Sequence, residues 1–157
     1  MKFGPTTTNL GGRTRVLANT NSARSKVGGV TIDWSTVAAV SGSAVTLDGQ
    51  VIPIGKKYLP YGTVLVQITA SRLYGPAATN AGGATAASDG RQTIDATRRG
   101  AVFVLDRTIT EDDDGIHIGE VFDAGVAHKA RIKCGAAGQP TYANLEAALP
   151  GLTYASS

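Results

Sequence analysis

Cysteine, aromatic residues and long apolar runs are all scarce in this sequence of 157 residues. The single cysteine, Cys134, excludes an internal disulfide framework and a cysteine-rich zinc site. The longest uninterrupted apolar run, Ala101 to Leu105, has five residues, whereas a membrane-spanning helix needs about 20. No apolar stretch follows Met1, so we expect no signal peptide, no membrane partner and an intracellular setting.

Large apolar side chains are also few, while glycine is abundant at 20 residues. Leu, Ile, Val and Phe together account for 35 residues. This number is enough for one compact core, but not for tight packing of the whole chain. We therefore expect a single domain accompanied by a segment that lies outside its core.

Charge is segregated along the chain. Residues 1–29 contain five basic residues and no acidic residue, whereas residues 106–123 contain seven acidic residues and one arginine. Two segments of opposite charge can attract each other, either within one chain or between chains.

The first 29 residues are predicted to form a flexible basic N-terminal arm. The few large apolar residues in this segment follow neither the period of a strand nor that of a helix. Such a segment cannot bury enough apolar surface by itself to offset its ordering entropy. Residues 30–157 are predicted to form the β-rich domain.

Short β-prone runs separated by turn residues begin where the arm ends. Apolar and polar residues alternate from Val30 onward, as in a half-buried strand. The pair Asp48-Gly49 predicts a tight hairpin turn between strands at 44–47 and 51–54. The clearest early strand is predicted at 63–69.

A long loop, a buried strand and a helix are predicted in the second half. Residues 75–91 hold four glycines and form the loop, and residues 101–105 form a fully apolar strand. β-prone character resumes at 116–132, and residues 141–149 before Pro150 predict one short C-terminal helix. The fold class is mainly β: a small β-barrel or sandwich with this helix and the extended arm.

No catalytic constellation is recognisable in the sequence. His117 and His128 are the only histidines, and no nucleophile motif accompanies them, so we interpret them as surface or interface residues. The glycine pairs at 11–12 and 82–83 lack the spacing of a phosphate-binding loop. We therefore expect that the chain is not an enzyme and binds no cofactor.

The acidic run Asp112-Asp113-Asp114-Gly115 invites comparison with a calcium-binding loop. An EF-hand loop needs a glutamate six residues after its glycine, whereas Val121 stands at that position. We expect a solvated acidic turn and no metal.

The basic arm allows an alternative function, that of a β-barrel nucleic-acid-binding protein. Arg13, Arg15, Arg24 and Lys26 could then neutralise phosphates. However, five charges over 29 residues are dilute, and only Phe3 is available there to stack on a base. A protein-binding arm is the preferred interpretation, with no direct nucleic-acid partner.

From Tyr61 onward the order of short motifs is informative. In order, the motifs are a G-T-V-L-x-x-I-T strand at 62–69, a proline loop at 74–76, an S-D-G-x-Q turn at 88–92, an aliphatic strand at 100–105, an acidic turn at 111–114 and a G-x-V at 119–121. In this order, residues 61–132 resemble the head decoration, or capsid cement, proteins of tailed bacteriophages, the lambda-type family.

The resemblance implies a structural virion protein with no catalytic residues. Members of that family are small, β-rich and commonly trimeric, and they bind the outside of the expanded head at local three-fold positions. There they resist the internal pressure of packaged DNA. The implied partners are the major capsid protein and other copies of the chain in a homotrimer, and the implied location is the outer surface of the capsid. Another virion part, such as a tail module, and an enzyme of unrecognised class are the remaining alternatives.

The segregated charges lead to a hypothesis about how such a protein binds. The arm docks on an acidic surface, which is either segment 106–123 of a neighbouring subunit or the capsid protein itself. Three arms on one trimer would act together through effective concentration. The predicted partner-binding residues are Arg13, Arg15, Arg24, Lys26, Asp112, Asp113 and Asp114.

Overall fold

A computed structural model of the chain describes residues 14–26, 29–78, 89–91, 94–114, 121–136 and 139–155. The strands are β1 (Leu17–Ser25), β2 (Val45–Leu47), β3 (Gln50–Ile52), β4 (Tyr58–Leu59), β5 (Val64–Gln67), β6 (Tyr74–Pro76), β7 (Val102–Leu105), β8 (Ile109–Thr110), β9 (Val121–Ala127) and β10 (Gly151–Tyr154). The helices are α1 (Glu111–Asp114) and α2 (Tyr142–Ala148), with 3₁₀ helices at Trp34–Thr36, Ala96–Arg98 and Lys129–Arg131.

Most of the strands belong to one open sheet built around β9. Its order is β1-β9-β7-β5-β6, and neighbouring strands in this path are antiparallel. β10 pairs with β9 in parallel. Because β1 and β10 both pair within residues 124–127 of β9, they lie on its opposite edges, and β10 lies on the same edge as β7.

The central strands of this sheet are buried on both faces. In β5, Val64 and Val66 enter one hydrophobic cluster, whereas Leu65 enters a second cluster on the opposite face. In β7, Val104 joins the first cluster and Phe103 the second. A strand covered on both sides is apolar at every position, which is why residues 101–105 show no alternation in the sequence.

Different parts of the chain cover the two faces of the sheet. Leu145 and Leu149, in and just after α2, pack on the first face. The segment 30–37 and the two-stranded ribbon of β4 and β8 cover the second face, with Leu59 and Ile109 as buried contacts. The domain therefore has three layers, with the sheet in the middle.

The prediction of a mainly β fold with one short C-terminal helix is confirmed, although the main sheet does not close into a barrel, one of the two predicted forms. The sheet is open and ends at β1 and β6. It does not need to close on itself, because other segments bury its two faces. The edge of β6 is covered as well, since Tyr74 N donates to Thr31 O at 2.9 Å and Asp33 N donates to Tyr74 O at 2.8 Å.

The predicted hairpin is confirmed as β2 and β3. Val45 pairs with Ile52 and Leu47 with Gln50, so the turn contains only Asp48 and Gly49. These two residues have φ angles of 53° and 75°. A two-residue turn of this type needs a left-handed backbone at both positions, which the Asp-Gly pair supplies at low cost.

The predicted C-terminal helix is confirmed with its cap. Thr141 Oγ1 accepts a hydrogen bond from Asn144 N at 3.2 Å, and the helix ends before Leu149 and Pro150. The strand β10 that follows was not predicted. In β10 only Leu152 is buried, so the segment carries almost no apolar pattern of its own.

Part of the predicted arm is a strand of the domain. Residues 17–25 form β1, and Val16 is fully buried in the first hydrophobic cluster. The pairing with β9 is irregular, with register shifts between Asn19 and Arg24, which accounts for the missing period in the sequence. Residues 1–13 of the predicted arm lie outside the described residues.

Two other predictions of extended structure are replaced by helical turns. The alternation from Val30 gives two buried side chains, Val30 and Ile32, but the chain then forms a 3₁₀ helix at Trp34–Thr36, capped by Asp33. In the same way, the first residues of the alternating run near Ile132, Lys129–Arg131, form a 3₁₀ helix rather than a strand. Short alternating runs cannot distinguish these cases, because both bury every second or third side chain.

The contact of α2 with the sheet gives a first prediction. Leu145 is fully buried, so Leu145→Ala removes its packing on the sheet and should lower the free energy of unfolding by about 2–5 kcal/mol. Urea-induced unfolding followed by circular dichroism measures the change. Asn144→Ala, at an exposed position of the same helix, is the matched control and should change stability by less than about 1 kcal/mol. Equal losses for the two variants would contradict the packing of Leu145 on the sheet.

Candidate partner-binding surfaces

Arg15, one of the predicted arm residues, binds a buried carboxylate of its own chain. Asp106 follows β7 and is only 1% exposed. Its Oδ2 atom accepts hydrogen bonds from Arg15 Nε at 2.7 Å and from Arg15 Nη2. Its Oδ1 atom accepts from the amides of Val16 at 3.0 Å and Leu17 at 2.8 Å. This carboxylate therefore fixes both the side chain and the backbone at the start of β1.

Arg24 forms a second ion pair with the acidic segment of the same chain. Its Nε and Nη2 atoms donate to the two carboxylate oxygens of Asp123 at 2.8 Å and 3.0 Å. The hydrogen bond to Asp123 and the charge of that residue raise the pKa of Arg24. Unlike the Asp106 pair, this bidentate pair lies at the surface, where water and salt weaken it.

Lys26 is directed to the edge of the core. Its Nζ atom donates to Tyr74 Oη at 3.1 Å and lies 4.8 Å from the centre of that ring. It also lies 5.7 Å from the centre of the Phe103 ring. The structure thus places three of the four predicted basic residues against their own domain. Arg13 lies outside the described residues.

The acidic run after β8 is also tied to its own chain. Asp112 Oδ1 accepts from Lys56 Nζ at 3.0 Å in an exposed ion pair, which raises the pKa of Lys56. Glu111 Oε1 accepts from Lys57 N at 3.1 Å. Asp113 and Asp114 are in α1, but their side chains lie outside the described part of the structure.

The hairpin of β2 and β3 carries an exposed apolar surface that sequence reasoning missed. Val51 is 62% exposed and Ile54 is 60% exposed, the largest exposures of big apolar side chains in the described residues. The hairpin is held to the domain at its turn, where Thr14 Oγ1 donates to Asp48 Oδ1 at 2.5 Å. The available signal was the run Val51 to Ile54, which lacks the polar residues expected on the outer face of a strand.

The titratable groups of the described residues form no cluster typical of a metal site. No group of three His, Cys, Asp or Glu side chains could hold a metal ion within these residues. Burial, and then the negative charge of Glu146, raise the pKa of the Cys134 thiol to about 12. His117 lies outside the described residues.

Comparisons with known proteins give no relative. No protein-family model matches the chain, and no curated protein or solved structure matches it either. Among the helices of the described residues, none is long and apolar enough to cross a membrane.

The two ion pairs of β1 should differ strongly in their effect on stability. Asp106→Ala removes the buried acceptor of the Leu17 amide together with the Arg15 pair, and should cost about 2–3 kcal/mol of unfolding free energy. Asp123→Ala, the matched control, removes a similar pair at the surface and should change stability little. Urea denaturation and hydrogen exchange of the β1 amides measure both variants. Similar losses for the two would show that Asp106 is not the anchor of β1.

The raised pKa of Cys134 gives a pH-dependent prediction. At pH 8 the native thiol stays protonated, so it should react with Ellman's reagent much more slowly than in unfolded protein. Only the protonated thiol is compatible with this burial. Ionisation of Cys134 therefore leaves the free energy of unfolding unchanged below pH about 9, and lowers it as the pH rises from there through about 12. The unfolded reference is the protein in about 6 M guanidinium, which unfolds even stable domains. Equal reaction rates in buffer and in guanidinium would contradict the burial of the Cys134 thiol.

Proposed function

We propose that the chain is a structural protein of a bacteriophage virion, which binds the outer surface of the expanded capsid as a trimer and stabilises it against the pressure of packaged DNA. The observation that carries the proposal is the placement of the motifs that resemble capsid decoration proteins. Four of these motifs are separate in the sequence, but they contribute to adjacent strands of one sheet.

The motif strands occupy the centre of the domain. The G-T-V-L strand contains β5, the proline loop contains β6 and the aliphatic strand contains β7. The residues after the G-x-V motif continue into β9. The sheet order β9-β7-β5-β6 makes these strands neighbours, so the resemblance covers one contiguous structural unit rather than scattered pieces.

The turn motif and the proline loop are in contact. Asp89, of the S-D-G turn, accepts a hydrogen bond from Arg91 Nε at 2.8 Å. Arg91 Nη1 in turn donates to Pro76 O at 3.1 Å. This contact supports treating the two motifs as parts of one unit, because Arg91, a residue of the turn motif, binds the carbonyl of the proline loop.

We assign the contact with the capsid protein to the hairpin of β2 and β3. Exposed large aliphatic side chains favour association when a partner removes them from water. Val51 and Ile54 provide the apolar side chains, and the bond between Thr14 and Asp48 fixes the turn. A preorganised apolar contact of this kind loses little entropy on binding, and three copies on one trimer would add their effects.

Charge pairing favours this surface over a nucleic-acid interface. Arg15 and Arg24 both donate to carboxylates of their own chain, so their charges are offset before any phosphate is bound. Displacing Asp106 from Arg15 would leave a buried carboxylate with fewer partners, which is costly.

Co-sedimentation with capsid shells tests the proposal. The protein is mixed with expanded and with unexpanded shells of the phage that encodes it, and pelleting is measured over a range of protein concentrations. We expect saturable pelleting with expanded shells only. The double variant Val51→Ser with Ile54→Ser should bind at least about tenfold more weakly. Its matched control is Ala143→Ser, because Ala143 is exposed on α2 and lies outside the hairpin.

The outcomes of this experiment are distinct. No pelleting of the wild-type protein with either shell would contradict capsid binding, and DNA binding would be tested next. Equal binding by wild type and the double variant would remove the hairpin from the interface.

A truncation that tests the remaining arm must stop at residue 13, because removal of residues 1–29 also deletes β1 and the partners of Asp106. Analytical ultracentrifugation of the free protein tests the trimer.

A further inference from the structure

Two tyrosines and one lysine meet at the end of the sheet where β9 and β10 finish. Tyr142 is the first residue of α2, Tyr154 is the last residue of β10, and Lys129 begins the 3₁₀ helix after β9. The two rings are perpendicular, at an angle of 89°, with their centres 6.3 Å apart. Lys129 Nζ lies 4.6 Å from the centre of the Tyr142 ring and 4.8 Å from that of Tyr154.

Both rings are fixed in position by their hydroxyl groups. Tyr142 Oη donates to Lys129 O at 3.0 Å, and Tyr154 Oη donates to Glu146 Oε1 at 2.9 Å. Burial raises the pKa of both tyrosines, so each ring keeps its hydroxyl proton and these hydrogen bonds at neutral pH. The two ring faces, which carry the negative part of the aromatic quadrupole, are therefore held in place for a cation.

The ammonium group of the lysine in this corner lies against both rings. Within the described part of the chain, Lys129 Nζ has no hydrogen bond and no carboxylate partner, and the residue is exposed. Beside it lies an open hollow of about 420 Å³, lined by His128, Lys129, Ala130, Tyr142, Tyr154 and Ala155. A second cation can therefore reach the rings from solvent once the lysine moves aside.

We propose that Tyr142 and Tyr154 form a binding site for a lysine side chain of a partner protein, and that Lys129 occupies this site when no partner is bound. The present occupant shows that a primary ammonium on an alkyl chain fits between the rings. The site is independent of the capsid contact, because it lies on α2, β10 and the end of β9 and shares no residue with the hairpin.

While Lys129 occupies the site, the apparent affinity of the site for the lysine of a partner is lowered. If Lys129 fills the site nine-tenths of the time, a roughly tenfold gain in affinity is expected when it is removed. Lys129→Ala opens the site in this way without touching either ring. Lys133→Ala is a matched control, since Lys133 Nζ lies 4.6 Å from the centre of a single ring, that of Tyr61, away from this corner.

The test is a titration of the full chain with n-butylammonium, an analogue of the lysine side chain, at constant ionic strength. Chemical shifts of the tyrosine ring protons report binding. We expect Lys129→Ala to bind n-butylammonium about tenfold more tightly than wild type. Lys133→Ala should behave as wild type at Tyr142 and Tyr154. Adding Tyr154→Leu to Lys129→Ala should abolish the gain, while adding Tyr154→Phe, which keeps the ring, should preserve most of it.

Three results would overturn the proposal. The first is a lack of binding by Lys129→Ala while its melting temperature and its spectrum away from the site stay as in wild type. The second is an equal gain for Lys133→Ala, which would indicate a general effect of charge. The third is tighter binding of tetramethylammonium than of n-butylammonium. This result would indicate that the site prefers a quaternary ammonium ligand to a lysine side chain. Since the probe is a small molecule, none of these results depends on capsid binding.

Discussion

The buried carboxylate of Asp106 is the interaction on which the arrangement of the sheet depends. It lies at the end of the most buried strand, β7, and receives a guanidinium and two backbone amides from the residues before and at the start of β1. A carboxylate that is only 1% exposed is tolerated because it is paired and hydrogen-bonded. The same bonds place Val16 in the core and direct β1 along β9, which is thereby covered on both of its edges. A segment whose composition suggests an arm becomes part of the domain through these bonds and through its pairing with β9.

The parts of the fold that could be predicted from the sequence are those determined by near neighbours. The hairpin follows from Asp48-Gly49, and the helix follows from the Thr141 cap and the spacing of its leucines, because each signal acts within a few residues. β1 and β10 could not be predicted. Each pairs with β9 across a long stretch of chain, and each carries few apolar side chains, so its stability comes from a partner that local patterns do not identify.

The candidate surfaces were predictable to a similar extent. The segregation of charge indicated that the start of the chain and segment 106–123 attract each other, and the structure brings Arg15 and Arg24 to acids of that segment within one chain. The composition could not identify which acids take part. Their partners are Asp106 and Asp123, at the two ends of the segment, whereas Asp112 in the conspicuous acidic run pairs with Lys56. The tertiary fold decides which acids lie beside β1, because both partners are brought there by β7 and β9. The contact of Lys129 with Tyr142 and Tyr154 could not be predicted from the sequence either, because the three residues lie on three separate elements.

The two strands that flank β9 have a consequence for the connectivity of the chain. Leu17 and Tyr154 both pair with Ala127, one on each edge of β9, so β1 begins and β10 ends at the same corner of the sheet. Two interstrand spacings, about 10 Å in all, separate these strands. A linker that joins them must also retain Arg15 and Val16, which precede β1 and bind Asp106. The chain could then be opened elsewhere, for example in the exposed loop 41–44, with every strand pair retained. The domain is thus suited to circular permutation. Its strand arrangement does not depend on the order in which the strands follow one another along the chain.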